Sequence, residues 1–156
     1  MQSGAFISYR RGPGGTLARL LKETLEHAGI DTFLDVDDLG SGHFDRNLLR
    51  EIESRENFVL VCTPGCLERC GDEADFLRLE IAHAIEMRRN VVPVVTDGFS
   101  WPDPAALPDL VRELKRHDYI EYSHRHWDST RTKLIGRMHR ERKAFRITVE
   151  TDPARL

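Results

Sequence analysis

Short β-like apolar runs alternate with amphipathic helical stretches along the whole chain, and this alternation constrains the fold more than any other feature. The third and fourth runs, NFVLVCT and NVVPVVT, are almost continuously apolar, which is typical of strands buried on both faces. The pattern predicts an α/β fold of flavodoxin-like topology, an open doubly wound parallel five-stranded sheet with helices on both faces. The predicted strands are 5–9, 31–35, 57–63, 90–96 and 118–122, and the predicted helices are 16–28, 43–55, 73–88, 107–116 and 127–142.

Length and composition fit one globular domain. The chain has 156 residues, of which 40% are hydrophobic and 31% charged, and its net charge is -3. A chain of this size buries a core without disulfide or metal staples. The charge gives no basic footprint for nucleic acid, and no run of about 18 apolar residues predicts a membrane span. The first residues lack the apolar core of a signal peptide, so we expect a cytoplasmic protein with neither nucleic acid nor membrane as partner.

The three cysteines, Cys62, Cys66 and Cys70, are too few and too close together for a disulfide framework. Their odd number agrees with a reducing compartment. No histidine follows them at the short offsets of zinc motifs. We therefore expect buried or half-buried thiols and no metal site.

The predicted fold directs attention to the loops that follow the strands. Doubly wound sheets bind ligands at the carboxyl ends of their strands, at the switch point between the first and third strands. The loop YRRGPGG, after the first strand, contains Arg10 and Arg11, which are either ordinary loop residues or partners for a pyrophosphate. Its glycines match neither the dinucleotide fingerprint nor the P-loop, so we reject a Rossmann or NTPase assignment.

Glu80 stands out in the helical stretch after the third strand. At about 100° per residue, one apolar stripe contains Leu77, Ile81, Ala84 and Ile85. Glu80 lies beside this stripe rather than on the back of the helix, where a solvated carboxylate is expected. The position suits either a functional group facing the crevice or a paired charge at the edge of the core. The helix alone does not distinguish these interpretations.

Several segments, taken in order, resemble one known family. AFISYRR resembles the first box of Toll/interleukin-1 receptor (TIR) domains, and FLDVDDLGSGHF resembles their second strand and BB loop. The segments NFVLVCTPGCLERC, NVVPVVTDGFSWPDP, LPDLV and YSH follow at spacings similar to those in the TIR domain of the SARM family of NAD hydrolases. The resemblance covers about residues 5–138, and we assign residues 1–142 to a TIR domain and 143–156 to a C-terminal tail.

The resemblance also implies which residues form the site. In enzymatic TIR domains an aromatic residue, three further residues and a catalytic glutamate follow the third strand, and FLRLE puts Phe76 and Glu80 in these positions. Phe76 stands where the SARM pattern has tryptophan, and the loop before it is shorter here. The implied substrate-binding residues are Phe76, Arg10, Arg11, Phe33 and Ser8, and those of the BB loop and self-association are Asp38, Leu39, Gly40 and Gly42.

The implied function is hydrolysis of NAD+ at the nicotinamide–ribose bond, active on homotypic TIR–TIR self-association, in immune or cell-death signalling. One carboxylate is adequate because nicotinamide leaves as a neutral molecule and needs no general acid. The expected products are nicotinamide and ADP-ribose, or cyclic ADP-ribose when the substrate's adenine captures the ribose, with base exchange as a further activity. NAD+ is the substrate, so no cofactor is expected.

Three questions stay open: the function, the role of Phe33, and the role of Gly40 and Gly42. A non-enzymatic TIR–TIR signalling adaptor is the alternative function, because the same fold and BB loop serve both classes. Phe33 is either a core strand residue or a stacking surface for the adenine, and Gly40 and Gly42 are either turn residues or part of the self-association loop.

Overall fold

A computed structural model describes residues 2–34 and 46–140. The strands are β1 (Gln2–Tyr9), β2 (Asp31–Leu34), β3 (Arg55–Cys62), β4 (Asn90–Val95) and β5 (Ile120–Glu121). These five parallel strands form one sheet in the order β2-β1-β3-β4-β5, which confirms the predicted flavodoxin-like topology. Because β1 has β2 on one side and β3 on the other, the switch point lies between β1 and β3.

Helices cover both faces of the sheet. The helices are α1 (Gly15–His27), α2 (Arg46–Glu53), α3 (Phe76–Glu86), α4 (Asp109–Arg112) and α5 (Trp127–Arg137), with 3₁₀ turns at Glu68–Gly71, Pro104–Ala106 and Glu113–Arg116. One core cluster joins β-strand side chains to α1 and α5, and a second cluster joins the opposite faces of the strands to α2, α3 and α4. None of the described helices is long and apolar enough to cross a membrane.

Strand β1 shows how the two faces are divided. Ala5 and Ile7 pack in the cluster of α1 and α5, whereas Phe6 packs in the cluster of α2, α3 and α4. Side chains of a strand alternate between faces, so Ser8 is on the same face as Phe6. The sequence of β1 therefore directs Ser8 towards α3.

Local interactions explain where α1 ends and where α3 begins. Helix α1 is followed by Gly29, whose φ of +83° is the left-handed conformation that glycine adopts without strain, as the sequence predicts. Helix α3 begins at Phe76 rather than at residue 73, because the side chain of Asp75 accepts a hydrogen bond from the backbone N–H of Arg78 (3.2 Å) and caps the helix.

The prediction of one helix over 107–116 is wrong. The segment contains the four-residue α4 and the 3₁₀ turn Glu113–Arg116, and Leu107 is extended before Pro108. A residue before proline is disfavoured in the helical region, so the helix begins only at Asp109. Leu107, Val111 and Leu114 are nevertheless buried on one face, which explains why their spacing indicates a helix.

Candidate active site

A hydrogen bond joins β1 to α3 at the switch point. The Ser8 hydroxyl donates to Oε2 of Glu80 over 2.7 Å, although the two residues are 72 positions apart. Ser8 is only 1% exposed, and Glu80 is half-buried. The carboxylate of Glu80 is therefore turned towards the carboxyl end of β1. A short hydrogen bond of this kind to a carboxylate fixes the orientation of the acceptor.

The packing of α3 explains the position of Glu80. Leu77, Ile81 and Ala84 are buried against the sheet, as the predicted apolar stripe requires. Glu80 precedes Ile81 by one residue and lies about one turn beyond the start of the helix. The carboxylate is consequently held at the border between core and crevice, as its sequence position indicates.

Arg10 ties the loop after β1 to the start of α3. Its guanidinium donates to both carboxylate oxygens of Asp75, over 2.6 Å from Nη1 and 3.0 Å from Nη2. It also donates to the backbone carbonyl of Cys66, over 3.1 Å from Nε and 2.7 Å from Nη2. We call Arg10, Asp75 and the Cys66 carbonyl the Arg10 clamp. Its two charged side chains are 20% and 7% exposed, so it is largely shielded from water.

The electrostatics of the clamp favour its ionised form. Burial opposes the charge on Asp75, but the hydrogen bonds and positive charge of Arg10 outweigh it, so the pKa of Asp75 is lowered. Burial, followed by the negative charge of Asp75, raises the pKa of Cys70 to about 12. Cys62, Cys66 and Cys70 are all free and buried, as expected from the sequence. Cys70 is thus a neutral thiol beside the clamp, and its Sγ lies 3.6 Å from Oδ2 of Asp75.

The other predicted site residues lie in different surroundings. Phe76 is the first residue of α3, directly after Asp75, and is half-buried. Arg11 is exposed in the loop after β1. Phe33 stacks on Phe6, with ring centroids 5.3 Å apart, and the Arg55 guanidinium lies 5.4 Å from its centroid. Phe33 therefore packs at the edge of the core. These contacts alone are a sufficient reason for an aromatic side chain at this position, with or without a ligand.

The predicted BB-loop residues, Asp38, Leu39, Gly40 and Gly42, lie outside the described residues. Their role in self-association stays a prediction, as do the substrate contacts of Phe76, Arg10, Arg11, Phe33 and Ser8. The structure does bring four of the predicted residues to one end of the sheet. Ser8 donates a hydrogen bond to Glu80, and Arg10 binds Asp75, which directly precedes Phe76 at the start of α3.

Asp75 is the member of this site that sequence reasoning missed. An acidic or small polar residue immediately before an apolar-periodic stretch is a helix-start signal, and DFLRLE contains it. Recognising Asp75 as the cap would have placed the helix start correctly. Its pairing with Arg10 has no local signal, since the two residues are 65 positions apart.

Fold and site together define a class: a doubly wound α/β domain whose polar side chains meet at the switch point between β1 and β3. The TIR domain family model matches residues 5–135. The chain belongs to the TIR domain family.

Curated relatives are also similar to this chain in sequence. The chain is 39% identical over 133 residues to the NAD(+) hydrolase SARM1 of Danio rerio, a match that covers 83% of this chain and 18% of that protein. It is 37% identical over 145 residues to the NAD(+) hydrolase sarm1 of Drosophila melanogaster, which covers 91% of this chain and 11% of that protein. The chain thus spans less than a fifth of the length of these relatives.

The fold also matches solved structures. The TIR domains of the activated Roq1 resistosome superpose with a TM-score of 0.55 at 18% identity, over 86% of this chain and 96% of that one. At this identity the likeness supports the fold alone.

Proposed function

We propose that this chain is an NAD+ glycohydrolase that cleaves the bond between nicotinamide and ribose, with Glu80 as the catalytic carboxylate. The observation that carries the proposal is the Glu80 carboxylate itself, held by Ser8 at the switch point where doubly wound folds bind ligands. The NAD(+) hydrolases of Danio rerio and Drosophila melanogaster, 39% and 37% identical to this chain, support the choice of substrate.

Cleavage of the nicotinamide–ribose bond requires few catalytic groups from the protein. The bond between C1′ of the ribose and N1 of nicotinamide breaks, and its electron pair moves to N1, which neutralises the pyridinium. Nicotinamide therefore leaves without a proton donor, and positive charge develops on the ribose. An ionised Glu80 stabilises this charge and accepts hydrogen bonds from the ribose hydroxyls. No cofactor takes part in this scheme.

The product depends on which nucleophile attacks C1′ of the ribose. Water attacks C1′ and loses a proton, which gives ADP-ribose. The substrate's own adenine gives a cyclic product, and an added pyridine base gives base exchange. We propose hydrolysis as the main reaction, with cyclisation and exchange as side reactions, in a cytoplasmic protein of immune or cell-death signalling.

We also propose that the active form is self-associated. The support is the resemblance of residues 38–42 to the BB loop, which in TIR assemblies reaches a neighbouring subunit and helps to close the pocket. A pocket shared between subunits would make the turnover per subunit depend on protein concentration.

The test compares Glu80→Gln with wild type and with Glu86→Gln, a matched control at an exposed glutamate of the same helix. Concentrated protein is incubated with NAD+, and nicotinamide, ADP-ribose and cyclic ADP-ribose are separated by chromatography. We expect Glu80→Gln to lose about 10²-fold or more in turnover, because it removes the negative charge, and Glu86→Gln to resemble wild type.

Glu80→Gln is expected to fold, because its amide oxygen still accepts a hydrogen bond from Ser8 and its volume is nearly unchanged. A folded Glu80→Gln with wild-type turnover would exclude Glu80 as the catalytic group. A wild-type chain that self-associates but releases no nicotinamide would support the adaptor function instead.

A further inference from the structure

Two separate contacts attach α3 to the end of β1. The first is the hydrogen bond from Ser8 to Glu80, and the second is the clamp from Arg10 to Asp75. Ser8 and Arg10 are two residues apart on one segment, while Asp75 and Glu80 are five residues apart on the other. The first turn of α3 is therefore held at both ends against the same stretch of chain.

The clamp acts at the point that sets the direction of the helix. Asp75 caps α3 through the backbone N–H of Arg78, so the carboxylate that Arg10 holds is the same group that fixes the first turn. A helix turn is stiff because its backbone hydrogen bonds are local. A shift of Asp75 would consequently move Phe76 and Glu80 with it.

The clamp also engages the loop before α3. Two of its four hydrogen bonds end on the Cys66 carbonyl, in the turn that follows β3. A guanidinium fork binds two acceptors in a fixed plane, which a flexible point charge such as lysine does not do. Arg10 thus fixes the loops after β1 and β3 relative to one another, on the two sides of the switch point.

We propose that Arg10 is a positioning residue, which acts on the reaction through Asp75 and the first turn of α3 rather than by binding substrate phosphate. The proposal rests on the proposed role of Glu80 in NAD+ cleavage. Four of the five guanidinium N–H donors already end on Asp75 and Cys66, so a pyrophosphate bound by more than one N–H of Arg10 would have to displace one of these acceptors. A 1 Å displacement of a catalytic group is sufficient to reduce a rate by about 10²-fold.

The kinetic test is a double-mutant cycle with Arg10→Ala and Asp75→Asn, since asparagine retains one oxygen to cap the helix but loses the charge and the second acceptor for Arg10. A positioning role predicts that kcat for NAD+ falls about tenfold or more in each single variant while KM changes less than about twofold. The double variant should then be no worse than the poorer single one. Arg131→Ala is the matched control, because Arg131 forms an exposed ion pair with Asp128 on α5.

Binding of pyrophosphate by Arg10 predicts different kinetics. Arg10→Ala would raise KM, Asp75→Asn would leave KM unchanged, and the two effects would multiply in the double variant. That outcome overturns the proposal.

Amide hydrogen exchange provides a readout that does not depend on catalysis. Arg10→Ala should increase exchange at the amides of residues 78–80, which donate to Asp75 or within the helix, at least tenfold while α1 and α5 retain their protection. Unchanged protection of residues 78–80 would overturn the clamp even if turnover fell. If wild type released no nicotinamide, the proposed function would fail, and the exchange measurement would still decide whether Arg10 holds α3.

Discussion

Ser8→Ala should separate the orientation of Glu80 from its charge. The substitution removes one hydroxyl that is 1% exposed and donates to Oε2 of Glu80 over 2.7 Å. It leaves the carboxylate in place, whereas Glu80→Gln leaves the hydrogen bond and removes the charge. The two variants therefore test different halves of the same mechanism.

The size of the effect follows from the type of bond. A hydrogen bond to a charged group contributes about 1.5–3 kcal/mol, which corresponds to about a 10- to 150-fold change in rate if Glu80 must keep its orientation in the transition state. Water can hydrate the exposed side of the Glu80 carboxylate but cannot take the position of the hydroxyl that orients it, because Ser8 is buried. The loss of folding stability should be smaller, about 1 kcal/mol, because half-buried Glu80 can gain some hydration.

The assay measures kcat and KM for NAD+ with Ser8→Ala, and with Ser54→Ala as a control in which an exposed hydroxyl is removed. We expect a lower kcat, a nearly unchanged KM and a melting temperature a few degrees below that of wild type. Ser8→Ala combined with Glu80→Gln should be no slower than Glu80→Gln alone, because Ser8 acts through the carboxylate. A folded Ser8→Ala with wild-type kcat would refute this reasoning.

Four further predictions concern Phe76, self-association and the residues that end α1 and α3. Phe76→Ala should reduce NAD+ turnover, whereas Phe76→Trp should retain or raise it by restoring the larger aromatic face; a folded but inactive Trp variant would contradict this. Turnover per subunit should fall on dilution, and Gly42→Pro should suppress it; constant turnover in a sample monomeric by light scattering would exclude a shared pocket. Arg88→Gly should raise the free energy of unfolding by about 1 kcal/mol, because Arg88 has a φ of 56°, and chemical denaturation would measure the gain. Gly29→Ala, at a φ of 83° with no neighbour within 4 Å, should lower it by a similar amount.

Elements with a strong local pattern were predictable. The apolar runs identify all five strands, because a buried parallel strand needs apolar side chains on both faces. The shoulder position of Glu80 was also readable, since it depends only on the rotation of 3.6 residues per turn. Gly29 ended α1 as expected because its conformation is a property of glycine itself.

Elements without such a local pattern could not be predicted from the sequence. The helix predicted over 107–116 failed because 3₁₀ and α turns can bury the same three leucine and valine side chains on one face. The start of α3 was misplaced by three residues because apolar spacing does not report which side chain caps the helix.

The sequence by itself determined the order of strands and helices, the face of α3 that carries Glu80 and, through its motifs, the family. Only the tertiary structure decided what Glu80 and Arg10 contact, because Ser8 and Glu80 are 72 residues apart and Arg10 and Asp75 are 65 apart. Such contacts depend on β1 pairing with β3 and on the angle at which α3 packs over both, and neither is fixed by propensity or periodicity within a single segment. An arginine after a strand has the same local sequence whether it binds a substrate phosphate or a helix cap; its partner is set by the fold that brings Asp75 within 2.6 Å.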